Sequence, residues 1–216
     1  MTKLIIFDCD GTLVDSQHVI TEAMSRAFAA HDLAPLPREM VRRVVGLSLV
    51  QAVAMLLPAA DEATHVKVAE DYKNAFQQLR QDPDLHEPLF PGADETLRSL
   101  AQDGHFIGMA TGKSRRGVNS VVELHGWHGM FDTIQTADDG PGKPHPHMVE
   151  QAIAETGATI ADTIMIGDTT FDMEMARSAG VAAIGVNWGY HAPEELIDSG
   201  AKIVVKDFAQ LSNALK

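Results

Sequence analysis

The chain opens on a short continuous apolar run, Leu4-Ile5-Ile6-Phe7, stopped by Asp8 and Asp10 and turned by Gly11 and Thr12. An unbroken apolar run of this length is the pattern of a strand buried on both faces of a parallel sheet. After Ser16 the period becomes helical. Val19, Ile20, Ala23, Met24, Ala27 and Phe28 recur at helix spacing, with Asp15 or Ser16 as the N-cap. Pro35 and Pro37 end that helix and begin another carrying Met40, Val41, Val44 and Val45. Gly46-Leu47-Ser48 interrupts, and Leu49 to Leu57 forms a short helix closed by Pro58. Asp61 to Gln81 predicts one long helix with Val66, Ala69, Tyr72, Ala75, Phe76 and Leu79 on one face. From 15 to about 82 no strand signal occurs. A stiff, proline-rich return runs from Asp82-Pro83-Asp84 to Pro91-Gly92.

Beyond it helices and strands alternate. Strands are predicted at Phe106 to Ala110, Thr133 to Thr136, Thr163 to Ile166, Ala182 to Val186 and Ile203 to Val205, with a helix between each pair. Such alternation predicts an α/β fold, a doubly wound, Rossmann-like parallel sheet. The expected organisation is an α/β core of residues 1–14 and 83–216, with residues 15–82 inserted as an all-helical cap domain.

A hydrophobic content of 45% is ample for a packed core, and the net charge of −13 argues against a nucleic-acid or anionic-membrane partner. The single cysteine, Cys9, excludes an internal disulfide and suits a reducing compartment. It reads as a buried apolar filler between the two acids. No apolar run approaches the roughly 18 residues of a membrane span, and no signal-peptide pattern precedes the first strand. A soluble cytoplasmic protein is expected.

The two acids carry the first chemical signal. Residues two apart in a strand-like backbone face one side, so Asp8 and Asp10 share a space at a strand's carboxyl end, where open α/β sheets place ligands. Adjacent anions call for a cation or a shared proton, which suits a carboxylate nucleophile, a neighbouring acid/base and a divalent metal. Three further features fall at strand ends or in a rigid loop: Thr111-Gly112, Lys143 among Pro141, Pro144 and Pro146, and Asp168 with Asp172. Each has a plainer reading alone. Thr111 is then a helix N-cap, Asp172 a first-turn acid, and Lys113, Arg115 and Arg116 a solvated helix face. His145 and His147 lack companions at zinc-ligand spacing and read as helix-start or surface residues.

Taken together, D-C-D-G-T-L-V-D-S, A-T-G-K, G-K-P-H-P and G-D-T-T-F-D-M resemble the four motifs of the haloacid dehalogenase superfamily, in that family's order. The resemblance is to its phosphatases with a helical cap inserted after the first motif. It implies that Asp8 attacks phosphorus and becomes an aspartyl phosphate. It also implies that Asp10 serves the leaving group and then the water as acid and base. Asp8, Asp10 and Asp168 would hold Mg²⁺, one of them through a backbone carbonyl. Thr111, the Gly112 amide and Lys143 would bind the phosphate, with Asp172 behind Lys143. The implied partner is a small phosphorylated metabolite.

The cap stretch Val44 to Ser48 and the late Gly185-Val186-Asn187-Trp188-Gly189-Tyr190 resemble phosphoglycolate-phosphatase-type members. That likeness makes Gly46 and Ser48 the candidates for reading the substrate, against a plain inter-helix turn. Superfamily dehalogenases lack the second acid that Asp10 supplies. The β-phosphoglucomutases place a histidine where this chain has Ile20. A phosphomutase, a pyrophosphatase and a catalytically silent phospho-ligand binder stay open beside the phosphatase.

Overall fold

The computed structural model describes residues 2–82 and 87–216. The expected boundary between 82 and 83, and part of the proline-rich return, lie at residues 83–86, outside the described residues.

Six strands form one sheet: β1 (Leu4–Phe7), β2 (Phe106–Ala110), β3 (Thr133–Gln135), β4 (Thr163–Gly167), β5 (Ala182–Val186) and β6 (Ile203–Val205). Their order is β3-β2-β1-β4-β5-β6, and every neighbouring pair is parallel. The first strand is therefore central and flanked on both sides. Its four residues are fully buried, which is why it reads as an unbroken apolar run.

Alternation along β1 divides the core. Ile5 and Phe7 join the buried residues of α5 (Ala93–Gln102), α6 (Arg115–His125) and α10 (Phe208–Ala214). Leu4 and Ile6 face α7 (His147–Thr156), α8 (Thr170–Ser178) and α9 (Pro193–Ser199). Cys9 packs in the first of these clusters, as an apolar filler should.

Between β1 and α5 lie α1 (Gln17–Ala29), α2 (Arg38–Arg42), α3 (Leu49–Leu56) and α4 (Glu62–Leu79). Their buried side chains, from Val19 to Leu79, form a cluster of their own, with Phe171 of α8 packed against it. Two expected core positions turn outward. Met40 is 46% exposed and Val66 is 40% exposed, while Val68 is buried in α4. Two residues are about 200° of helix rotation, so a face centred on Val68, Ala69, Phe76 and Leu79 excludes Val66. Thr111 is not a helix cap. Ser114 takes that role, its hydroxyl accepting from the Gly117 amide at the start of α6. Among the described residues no helix is long and apolar enough to cross a membrane.

Leu97 is fully buried between α5 and the sheet, whereas Leu124 of α6 is 61% exposed. Leu97→Ala should cost ~2–5 kcal/mol in chemical denaturation, from lost transfer energy plus a cavity. Leu124→Ala should stay within about 0.5 kcal/mol of the parent. Equal effects of the two changes would contradict this packing.

Candidate active site

The chain leaves β1 toward β2 on one side and reaches β4 on the other, which opens a crevice at the carboxyl ends of these strands. Asp8 follows β1, Thr111 and Gly112 follow β2, and Asp168 follows β4. Lys143 comes from the loop between β3 and α7 and is completely buried.

Burial of that ammonium is balanced by carboxylates. Its Nζ lies 2.8 Å from Asp8 Oδ1 and 2.6 Å from Asp172 Oδ1. Burial opposes the charge on Lys143, but Asp172 and Asp8 outweigh it and hold its pKa above the ordinary lysine value. Asp172 has a second attachment: its Oδ2 accepts from the Thr169 amide at 3.0 Å and the Thr169 hydroxyl at 2.7 Å, capping α8. The two oxygens of Asp172 thus divide between Lys143 and the start of α8. Asp168 accepts from the Thr12 hydroxyl at 2.7 Å and the Tyr190 amide at 2.9 Å. Gly11, at φ +84°, and Gly189 let the backbone come this close; a Cβ on either would fall within 2.3 Å of an Asp168 side-chain atom.

Oxygens of Asp8, Asp168 and Asp172 lie within 4.8 Å of one another, the one such group of potential metal ligands among the described residues. Burial, resisted by Lys143 and reinforced by Asp172, pushes the Asp8 carboxyl up to about 7. Burial, Asp8 and Asp172 push Asp168 well above the carboxylate range. Three buried carboxyls, one with an unbonded oxygen at Asp8 Oδ2, form a hard-oxygen donor set short of positive charge. That set fits a divalent cation such as Mg²⁺.

Asp10 points elsewhere. Its Oδ1 accepts from the Ser16 hydroxyl and lies 3.0 Å from Lys113 Nζ. Ser16 thus serves Asp10, and its side chain makes no helix-capping bond. Lys113, expected on a solvated helix face, precedes α6 and is only 8% exposed. It also approaches Glu87 at 3.8 Å and stands 4.9 Å over the Phe76 ring. Arg80 pairs with Glu87 at 2.6 Å and lies 4.9 Å over the same ring. Burial opposes the Lys113 charge, yet Asp10 foremost raises its pKa. Thr12, Ser16, Lys113 and Tyr190 are the partners that motif spacing did not disclose. The apolar-to-polar switch after Thr111 was the available signal for Lys113, but neighbouring Arg115 and Arg116 disguised it.

Thr111 is buried; its hydroxyl oxygen accepts from the Lys113 amide at 3.1 Å. The carbonyls of Gly46 and Leu47 sit over Gly112, where a Cβ would be 2.6 and 2.4 Å from them. Gly46 itself lies against Thr169, at φ +100°, and the Ser48 hydroxyl donates to Gln51 Oε1 at 2.7 Å. The turn therefore faces the strand ends. Arg115 is tied to Asp139 at 2.6 Å and the Ile134 carbonyl at 2.8 Å, while Arg116 is exposed. His145 Nδ1 accepts from the His147 amide at the start of α7.

A family model described as haloacid dehalogenase-like hydrolase matches residues 5–186. A Dickeya dadantii protein described as "Probable phosphatase IndB" is 36% identical over 219 residues, covering 99% of this chain and 94% of the relative. The phosphoglycolate phosphatase of Rhodospirillum rubrum is 31% identical over 228 residues, covering 100% and 91%. A crystal structure of a hydrolase from Pseudomonas syringae superposes with a TM-score of 0.86 at 27% identity, covering 99% and 98%.

Gly112→Ala tests the contact between the turn and the strand ends. Its Cβ would overlap two main-chain oxygens, so the turn has to move away. Hydrogen exchange of a peptide spanning 44–50 should accelerate severalfold, with β1 and β4 peptides unchanged. Unchanged exchange at 44–50 would count against this close approach.

Proposed function

The chain belongs to the haloacid dehalogenase-like hydrolase family, and from that premise we propose that it is a Mg²⁺-dependent phosphatase. Its substrate is a small phosphate monoester, and its route is an aspartyl phosphate on Asp8. The observation that carries this reading is the difference between the two Asp8 oxygens. Oδ1 is anchored by the Cys9 amide at 2.6 Å and by Lys143, whereas Oδ2 is buried with no hydrogen-bond partner. One oxygen fixes the side chain and the other is free to attack.

In the first step Asp8 Oδ2 bonds to phosphorus as the ester P–O bond breaks, and Asp10 gives a proton to the departing alkoxide. In the second step Asp10 takes a proton from water, the resulting hydroxide bonds to phosphorus, and Asp8 leaves with its electron pair. Ser16 and Lys113 hold Asp10 in one orientation for both transfers. Lys143 offsets the charge on Asp8 and on the phosphoryl oxygens, and Asp172 keeps it aimed. Thr111 accepts from the Lys113 amide, which leaves its own hydroxyl hydrogen for a phosphoryl oxygen beside the Gly112 amide. When bound, Mg²⁺ supplies positive charge that brings the two anions together. Asp8, Asp168 and the main-chain carbonyl of Asp10 are its proposed ligands.

Residues 15–82 form the proposed cap over the core of 1–14 and 83–216, with Gly46 and Ser48 at the turn that reads the substrate. The buried free thiol of Cys9 supports a reducing, cytoplasmic setting. Phosphoglycolate, named by several relatives, is the reference compound for assay.

Asp8→Asn should lower kcat by about 10⁴-fold or more while circular dichroism shows a folded protein. Turnover near the parental rate would sink the nucleophile assignment. Mg²⁺ at a hundredfold excess over its Kd should stabilise the protein by ~2.7 kcal/mol in thermal denaturation. Asp168→Asn should remove that shift, and chelation should abolish activity reversibly. Full activity in excess chelator would exclude the metal.

A further inference from the structure

A cavity of about 470 Å³ extends from Asp8, Asp10 and Thr111 into the inserted helices. Its volume falls within the range, about 300–1,000 Å³, of pockets that enclose drug-sized ligands. The helical side is lined by Met24 of α1, Val41 of α2, Val44 of the following turn, and Tyr72 and Phe76 of α4. A short acidic leaving group would leave most of this wall uncovered, and a carboxylate laid against it would lose its hydration.

Such a carboxylate would need a free cation, and the inner cations already have anionic partners. Lys113 is paired with Asp10, and Arg80 is paired with Glu87. Lys73 and Arg116 border the cavity from exposed positions, where solvent and salt screen them. The wall of Met24, Val41, Val44, Tyr72 and Phe76 thus offers apolar surface and aromatic edges. The inner positive charge is committed to Asp10 and Glu87, and Gln77, Ser114 and Ser120 add neutral polar groups to the lining.

From this we infer that the substrate's leaving group is an alcohol with an uncharged, apolar body, aromatic or aliphatic. That body lies between Met24, Val41 and Val44 on one side and Tyr72 and Phe76 on the other, with the phosphate at Asp8. Hydrolysis then releases a neutral alcohol and inorganic phosphate. The inference rests on the phosphatase reading and departs from phosphoglycolate in the group that is released.

The test compares kcat/KM in Mg²⁺ for methyl phosphate, 2-phosphoglycolate, n-hexyl phosphate and 2-phenylethyl phosphate. The hexyl and phenylethyl esters should each exceed both small esters by at least tenfold. Val44→Asp should shrink the ratio of 2-phenylethyl to methyl phosphate at least fivefold. Calorimetry on Asp8→Asn, which does not depend on turnover, should show tighter binding of 2-phenylethyl phosphate than of 2-phosphoglycolate by a similar factor. A flat series, or any preference for 2-phosphoglycolate over the hexyl and phenylethyl esters, overturns the inference and leaves the phosphatase standing. No turnover of any ester overturns both.

Discussion

The centre of this protein is a buried excess of negative charge around one ammonium. Asp8 and Asp172 both contact Lys143, and Asp168 stands beside them with its oxygens held by Thr12 and Tyr190. Buried carboxylates are costly unless they are paired and hydrogen-bonded, and here every oxygen but Asp8 Oδ2 has a partner, drawn from separate segments of the chain. Thr12 follows β1, Thr169 begins α8, and Tyr190 follows β5. The sheet order that brings β1 between β2 and β4 is what makes these attachments simultaneous. A shift of β1 against β4, or of β4 against β5, would part Asp168 from Thr12 or from Tyr190.

The same electrostatics divides labour between the first two acids. Asp8 faces Lys143 and the other carboxyls, whereas Asp10 turns to Ser16 and Lys113. They are separated by one residue yet have different cations. Lys113 also stacks on Phe76, and Glu87 ties it to Arg80, so the surroundings of Asp10 include α4 of the inserted helices. The surroundings of Asp8 come from the sheet, the loops at its edge and Asp172 of α8. One acid is set by the sheet, its loops and α8, and the other is shared with α4 through Lys113.

Much of this was legible in the chain itself, for identifiable reasons. A central strand has no solvent face, so Leu4 to Phe7 read as an apolar run, and its abrupt end at Asp8 marked the site. The alternation of the second half depends on local periodicity, which sequence displays directly. Val66 and Met40 misled because hydrophobicity alone does not say which side of a helix finds a neighbour. The pairings of Thr12 with Asp168 and of Lys113 with Asp10 span 156 and 103 residues, and no local pattern encodes them. Lys113 resembled its charged neighbours, and its pairing with Asp10 and its place over Phe76 of α4 distinguish it.

The turn over Gly112 makes its approach with the carbonyls of Gly46 and Leu47, not with their side chains. A main-chain contact does not depend on side-chain chemistry, so long as Gly112 beneath it and Gly46, at φ +100° in the turn, are kept. Cavity-facing side chains of the helices on either side of the turn can therefore change, within the packing of their own cluster, without touching this contact. This separates the evolution of selectivity from the evolution of catalysis. New cavity walls can be tried on the same chemistry, and redesign of Val41, Val44 or Met24 begins from a frame that does not have to be rebuilt.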